Sequence, residues 1–428
     1  MGKTTRRDFL KTSGCTVLTV GLSQHAFFRR TQQASASALT AAAALSTTNN
    51  VLVVVQLDGG NDGLNTVIPA SGRLHSLYRD ARPQLSVPEA EILPLGADAA
   101  NHRIGLHPAM APLKALYDRP EKPVAVIQGV GYPNPNRSHF RSQDIWHTAN
   151  PERIEKTGWL GDYLDVAYPS VDNPFLAVSV GGELPLMLRS QNRVIPGIDN
   201  LDEYQIYAGD DADAANKVQT FLALNRVGAP EQTLYEHIRR TALELYESTQ
   251  AVQRSAQNYT PDPTIVYPDN NPLAGALRQV AQIIAANLGT RIFYVAMGGF
   301  DTHTAQSYDH ASLLATLSGA IDPFYRDMVR LGQANRVLLM TWSEFGRKVR
   351  QNADIGTDHG AAAPQLIVGG AVKGGIYGVH PNLTDLYDED DMKHSIDFRS
   401  VYTTILEQWF GVSARDILGG RFEPVRFL

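Results

Sequence analysis

Apolar residues come along this chain in two rhythms. Continuous runs at 51–57, 123–127, 175–180, 292–296, 337–341 and 365–368 are short, bounded by polar or glycine-rich stretches and rich in β-branched residues. An unbroken apolar run suits a strand covered on both faces, the habit of parallel sheets. Between these runs the spacing changes to three and four. Leu273, Leu277, Val280, Ile284 and Leu288 mark one face of a helix, and Leu313, Leu317, Ile321, Phe324, Met328 and Leu331 mark another. Strand and helix in alternation predict an α/β fold, a three-layer α/β/α sandwich around a mainly parallel central sheet. From about 190 to 270 the rhythm breaks. An acidic, alanine-rich stretch there (209–217) leads into a long helical pattern through Leu234, Ile238, Leu245 and Val252, and a proline-rich exit (260–272) ends it. That segment is expected to be a helical insertion with a solvated face.

Composition bounds the rest. A chain of 428 residues, 43% hydrophobic and 19% charged, can bury a large core. The net charge of −6, with no stripe of lysine and arginine, speaks against nucleic acid as a partner. The N-terminus stands apart. In "TTRRDFLKTSGCTVLTVGL" (4–22), Arg6 and Arg7 precede an apolar stretch that glycine and threonine keep well short of a membrane span. Ala34-Ser35-Ala36 and Ala36-Ser37-Ala38 follow as small-residue cleavage sites. The segment resembles a twin-arginine export signal, which implies residues 1–38 as signal peptide, the Tat translocase as transient partner, and a periplasmic or secreted protein without a stable membrane anchor. Such export carries folded proteins, often already loaded with metal. Removing 1–38 takes the net charge from −6 to −11, and it removes Cys15, the sole cysteine, so no disulfide is expected in the domain 39–428.

In open α/β sheets, ligands bind outside the carboxyl ends of the strands, so polar residues that follow the apolar runs carry the functional expectation. The run 51–57 delivers Asp58, then Asn61 and Asp62 among glycines. The run 292–296 leads to Asp301 and His303, the run 337–341 to Ser343 and Glu344, and the loop before 365–368 supplies Asp358 and His359. Carboxylates and imidazoles brought together from separate strands would repel or desolvate one another, and a divalent cation relieves both problems. Each residue also reads alone as a helix cap, Asp301 ahead of the helix near 306–331 being the clearest instance.

Five segments together carry a family resemblance: "LDGGNDGLNTVIP" (57–69), "RSHFRSQDIWHTANP" (137–151), "GGFDTHTAQ" (298–306), "TWSEFGRKVRQN" (341–352) and "GTDHGAAAPQLIVGGAVKGG" (356–375). They resemble an exported bacterial family, domain of unknown function 1501, over nearly the whole chain after the signal. That family is in turn similar to the alkaline-phosphatase superfamily of phosphatases, sulfatases, phosphodiesterases and cofactor-independent phosphoglycerate mutases. The resemblance implies Asp58, Asp301, His303, Glu344 and His359 as metal ligands; Asp358, beside His359, is a further expected ligand from its position, and zinc, calcium or manganese is the expected ion. It implies Ser138, at the start of a helix after an early strand, as the nucleophile; serine is also a preferred N-cap. Asn61, Asp62, Arg137, His139 and Arg347 are the expected substrate-binding residues, the arginines as bidentate partners of phosphate or sulfate oxygens. One position departs from the superfamily. Phe345 stands where a histidine ligand belongs, which leaves one metal, a rearranged pair, or none.

No G-x-S-x-G elbow, H-E-x-x-H, P-loop or G-x-G-x-x-G after a strand occurs. Two functions are therefore carried forward: a metal-dependent hydrolase of phosphate or sulfate esters, including glycan esters, and a non-catalytic exported protein that keeps the fold and binds a partner or glycan.

Overall fold

The structure is a computed structural model that describes residues 48–428 except 172, 182, 202, 205–207, 210–211, 228–233 and 389. The export segment 1–38 and its Cys15 lie outside the described residues. The strands are β1 (Val51–Leu57), β2 (Val67–Pro69), β3 (Leu93–Ala97), β4 (Arg103–Leu106), β5 (Val124–Gly131), β6 (Ala177–Val180) and β7 (Gly197–Ile198). They continue with β8 (Ile292–Met297), β9 (Val337–Trp342), β10 (Ala363–Val368), β11 (Gly375–Tyr377), β12 (Leu386–Tyr387), β13 (Asp391–Met392) and β14 (Ile396–Asp397).

Nine of these form one sheet in the order β11-β5-β10-β9-β1-β8-β6-β7, with β14 also on β5. Only β10 runs against its neighbours; every other pairing in the sheet is parallel. The reversal matters for function. It puts the start of β10 at the same edge of the sheet as the ends of β1, β5, β8 and β9. The central strands also finish level, with Leu57 opposite Met297 and Gln56 opposite Trp342. The loops 58–62, 132–138, 298–305 and 343–362 therefore open onto one edge.

All seven residues of β1 are buried, as expected for a strand covered twice. Leu52 and Val54 join one hydrophobic cluster with Trp146, Trp159, Trp342 and Tyr402, drawn from the helices His139–Thr148, Trp159–Ala167 and Phe398–Thr404 and from β9. Within it the Trp159 and Tyr402 rings stack at 4.2 Å. The alternate residues Val53 and Val55 face the other layer, where the helices Pro272–Ala285 and Gln306–Arg330 pack on one another. The result is an α/β/α sandwich with a largely parallel central sheet.

This sandwich belongs to a compact unit of residues 45–201 and 255–428. A second unit takes in 202–254 and holds the helix Ala214–Arg226 and most of the helix Leu234–Asn258, with Leu222 and Ala242 buried. Among the described residues no helix is long and apolar enough to cross a membrane.

Candidate metal centre

The loop after β1 turns through Gly59 and Gly60, at φ +116° and +86°, a region that side-chain-bearing residues rarely adopt. A Cβ on Gly59 would lie 2.4 Å from the Asp301 nitrogen, and one on Gly60 would lie 2.3 Å from the Phe345 ring. Bare glycines thus let this loop press against the loops after β8 and β9. Arg347, fully buried, ties the same loops together. Its Nε donates to the Gly60 carbonyl at 2.7 Å and its Nη1 to the Thr357 carbonyl at 2.8 Å, while Nη2 reaches the Phe300 carbonyl at 3.0 Å and Asp301 Oδ1 at 2.7 Å.

On this platform three imidazoles are oriented alike. His359 Nδ1 donates to the Arg137 carbonyl at 2.8 Å, His139 Nδ1 faces Glu344 Oε1 at 2.8 Å, and His303 Nδ1 faces Asp358 Oδ1 at 3.4 Å. Carbonyl and carboxylate oxygens only accept, so the ring protons sit on Nδ1 and each Nε2 presents a lone pair. Those lone pairs converge on Asp301. His359 and His303 each bring Nε2 to 3.0 Å from its Oδ1 and to 2.9 Å from one another, and His139 Nε2 stands 3.5 Å from its Oδ2. His139, Asp301 and His359 hold their ligand atoms within 4.8 Å of one another, the one such group among the described residues. Burial works against charge on Asp301, but Arg347, by hydrogen bond and by charge, leads the groups that outweigh it, and the pKa comes down to about 2. Burial also holds the His359 pKa below its usual range, which keeps the ring neutral near pH 7.

Acceptors that face each other this closely need a cation between or beside them. Two bonds of about 2.0–2.1 Å at a tetrahedral angle set ligand atoms roughly 3.3 Å apart. The observed spacings of 2.9–3.5 Å bracket that value. The residues present therefore fit a metal ion, and with Asp301 and His303 partly exposed its approach is open to solvent.

The other expected residues fall into three groups. Asp58 and Glu344 neighbour the centre. Gln143 Nε2 donates to Asp58 Oδ1 at 2.5 Å and lies 3.4 Å from Glu344 Oε1, and Glu344 is engaged by His139 and by the Gly59 N–H at 2.9 Å. Burial, then the nearby Glu344, pushes the Asp58 pKa up. Asp358 stands one layer back and holds His303, with its own pKa lowered first by the Asn352 hydrogen bond.

Asn61, Asp62, Arg137 and Arg347, expected to touch substrate, are engaged by protein groups. Asn61 and Asp62 are 1% and 0% exposed. Asn61 Oδ1 accepts from Thr66 at 3.0 Å and faces His310 Nε2 at 3.1 Å, while Asp62 pairs with buried Arg82 at 2.6 Å. Burial raises the Asp62 pKa, but Arg82 outweighs it and the net shift is down. Arg137 bonds Asp391 at 2.7 Å and Asp388 at 2.6 Å. His139, also expected at substrate, sits instead among the metal-capable residues. Ser138 is exposed at the N-cap of the helix His139–Thr148, without a side-chain capping bond. Asp301 caps nothing, because Ala305 stands at the N-cap of the helix Gln306–Arg330. Sequence reasoning passed over Gln143, one turn after His139 on the same helix face.

Among solved structures the chain is similar to the lipoteichoic acid synthase LtaP from Listeria monocytogenes, at 7% identity, covering 90% of this chain and 82% of that one with a TM-score of 0.36. It is similar to the C-terminal periplasmic domain of EcEptC from Escherichia coli in complex with Zn, at 10% identity, covering 76% and 75% of the two chains, TM-score 0.33. It is also similar to the PsFucS1 sulfatase from Pseudoalteromonas sp., at 11% identity, covering 99% and 75%, TM-score 0.33. No curated protein matches it in sequence. The family model described as "Protein of unknown function (DUF1501)" matches residues 124–419, a span that includes His139, Asp301, His303, Glu344 and His359 but leaves Asp58 outside. The chain belongs to that family.

Proposed function

We propose that this chain is a metal-dependent hydrolase of phosphate or sulfate esters, exported by the twin-arginine route, with one divalent ion held by His139, Asp301 and His359 and flanked by His303. The observation that carries this reading is the convergence of the imidazole lone pairs on the Asp301 carboxylate at a solvent-open edge of the sheet. A donor set dominated by imidazole nitrogen suits zinc or manganese better than calcium, which prefers oxygen. Bound there, such an ion would supply Lewis acidity toward an ester oxygen.

The chain's own residues do the rest. Glu344, Asp358 and the Arg137 carbonyl hold the three rings in one tautomer, and Arg347 keeps Asp301 ionised and in place. Ser138 precedes His139 in the chain and offers an exposed hydroxyl at the start of a helix, where backbone N–H groups favour an anionic group. It is the proposed nucleophile.

Phe345 limits the site to one ion. Its ring packs 4.5 Å from the His359 ring and 4.9 Å from that of His139, and it brings no ligand atom. The same ring favours the second reading, an exported protein that binds a partner or glycan without turnover.

The deciding experiment is hydrolysis of aryl phosphate and aryl sulfate esters by purified protein, before and after chelation. Turnover of one class, lost on chelation and restored by zinc or manganese, is expected. Metal-loaded protein inert toward both classes would favour the binding reading. Export is tested separately: replacing Arg6 and Arg7 with Lys should retain the protein in the cytoplasm, and undiminished periplasmic delivery would remove the twin-arginine assignment.

A further inference from the structure

We propose that the β12–β13 hairpin is a positioning device for the metal centre, acting through Arg137 to fix the ring of His359; this rests on the metal reading above. The chain of contacts is short. His359 owes its tautomer to the Arg137 carbonyl, the acceptor of its Nδ1 proton at 2.8 Å. That carbonyl belongs to the stretch between β5 and the helix His139–Thr148, which has no regular structure and turns through Asn134 at φ +54°. No ladder of backbone hydrogen bonds holds it there, so its position depends on side-chain anchors.

The peptide that carries this carbonyl is held locally by its N–H, which Ser138 donates to Asn136 Oδ1 at 2.9 Å, and residue 137 is tied to the rest of the fold by its own guanidinium. Nε donates to Asp391 Oδ2 at 2.7 Å and Nη2 to Asp388 Oδ2 at 2.6 Å. The two acceptors differ. The Asp391 side chain is 0% exposed and its second oxygen has no partner, whereas the Asp388 side chain is 75% exposed. The Arg137 side chain is 35% exposed, but a pair with one buried carboxylate still resists separation because that carboxylate cannot fall back on water, while a pair with an exposed carboxylate exchanges freely with it. Asp391 is therefore the working anchor.

The hairpin is braced against the His359 segment as well. The Val349 N–H donates to the Asp390 carbonyl at 2.9 Å and the Ala362 N–H to the Met392 carbonyl at 3.3 Å. Leu386 pairs with Met392 across the hairpin. One short element thus joins the loop that orients His359 to the loop that carries it, and the chain continues from Arg137 through Ser138 directly to His139. Arg137 is a positioning residue, with its guanidinium turned to Asp391 and Asp388.

The test compares wild type with Asp391→Asn, with the pair Arg137→Met/Asp391→Asn, and with Asp388→Asn. The pair removes both charges together, so no buried charge is left unmatched. Two quantities are read: zinc affinity by competition with a chromogenic chelator, and imidazole 15N shifts of His359 in metal-free protein. Loss of an orienting partner weakens metal affinity by about 10–100-fold. That loss is expected for Asp391→Asn and for the pair, with the Nδ1–H form of His359 giving way to a mixture of tautomers. Asp388→Asn should stay within about twofold of wild type, as befits an exposed partner. A pair variant with wild-type zinc affinity and an unchanged His359 tautomer would overturn the proposal. Should wild type bind no zinc, the metal reading fails, and the tautomer measurement alone still decides the role of the hairpin.

Discussion

Replacing Ser138 by Ala separates two roles for one hydroxyl. As a nucleophile it is indispensable, so Ser138→Ala should abolish ester turnover while metal content and melting temperature hold. As an N-cap it contributes little here, because its side chain makes no capping bond. The expected stability change is within about 0.5 kcal/mol, the range of an ordinary surface substitution. A variant as active as wild type would end the nucleophile assignment. At this scale the sequence was legible where polar residues adjoin an apolar run: Asp301 and His303 after one, and His359 before another, were expected together, and the structure brings the three side chains into contact. It misled at Asn61 and Asp62, which follow β1 just as closely yet turn inward. The cause is Arg82, buried against Asp62 from 20 residues away, which no local pattern announces. His139 was expected at the substrate. Its facing was hidden, because a helix start shows which residues share a face but not where that face points.

Among the elements, the continuous apolar runs located β1, β8 and β9 to within a residue or two, because a strand covered on both faces leaves no polar positions to confuse the pattern. The spacing of three and four found the helices Pro272–Ala285 and Gln306–Arg330 for the same reason. Direction was not legible. β10 reads like any other buried strand, yet it runs antiparallel to β5 and β9. Had it been parallel, its preceding loop, and His359 with it, would sit at the far edge of the sheet from Asp301. The short strands β11 to β14 were also missed, since two or three residues hold too little pattern to register. They are held by tertiary pairing, as β14 is on β5.

At the scale of the molecule, buried histidines tie stability to pH. Burial lowers His147 to about 3, and His310 and His380 to about 4. Between these values and the ordinary range near 6.5, the unfolded chain binds protons that the folded chain refuses, so stability falls as pH falls through that window. Each ring contributes a slope of up to about 1.4 kcal/mol per pH unit there. Urea unfolding from pH 7 to pH 4.5 should show a steady loss of stability, and a flat profile would mean these rings are solvated or paired.

The central claim is that His139, Asp301 and His359 form a metal centre, and the most direct measurement is metal content by elemental analysis after zinc loading and exhaustive dialysis. Wild type should retain one divalent ion per chain. His359→Ala and Asp301→Ala, still folded by circular dichroism, should retain almost none. Wild type that keeps no ion, or folded variants that keep as much as wild type, would contradict the account.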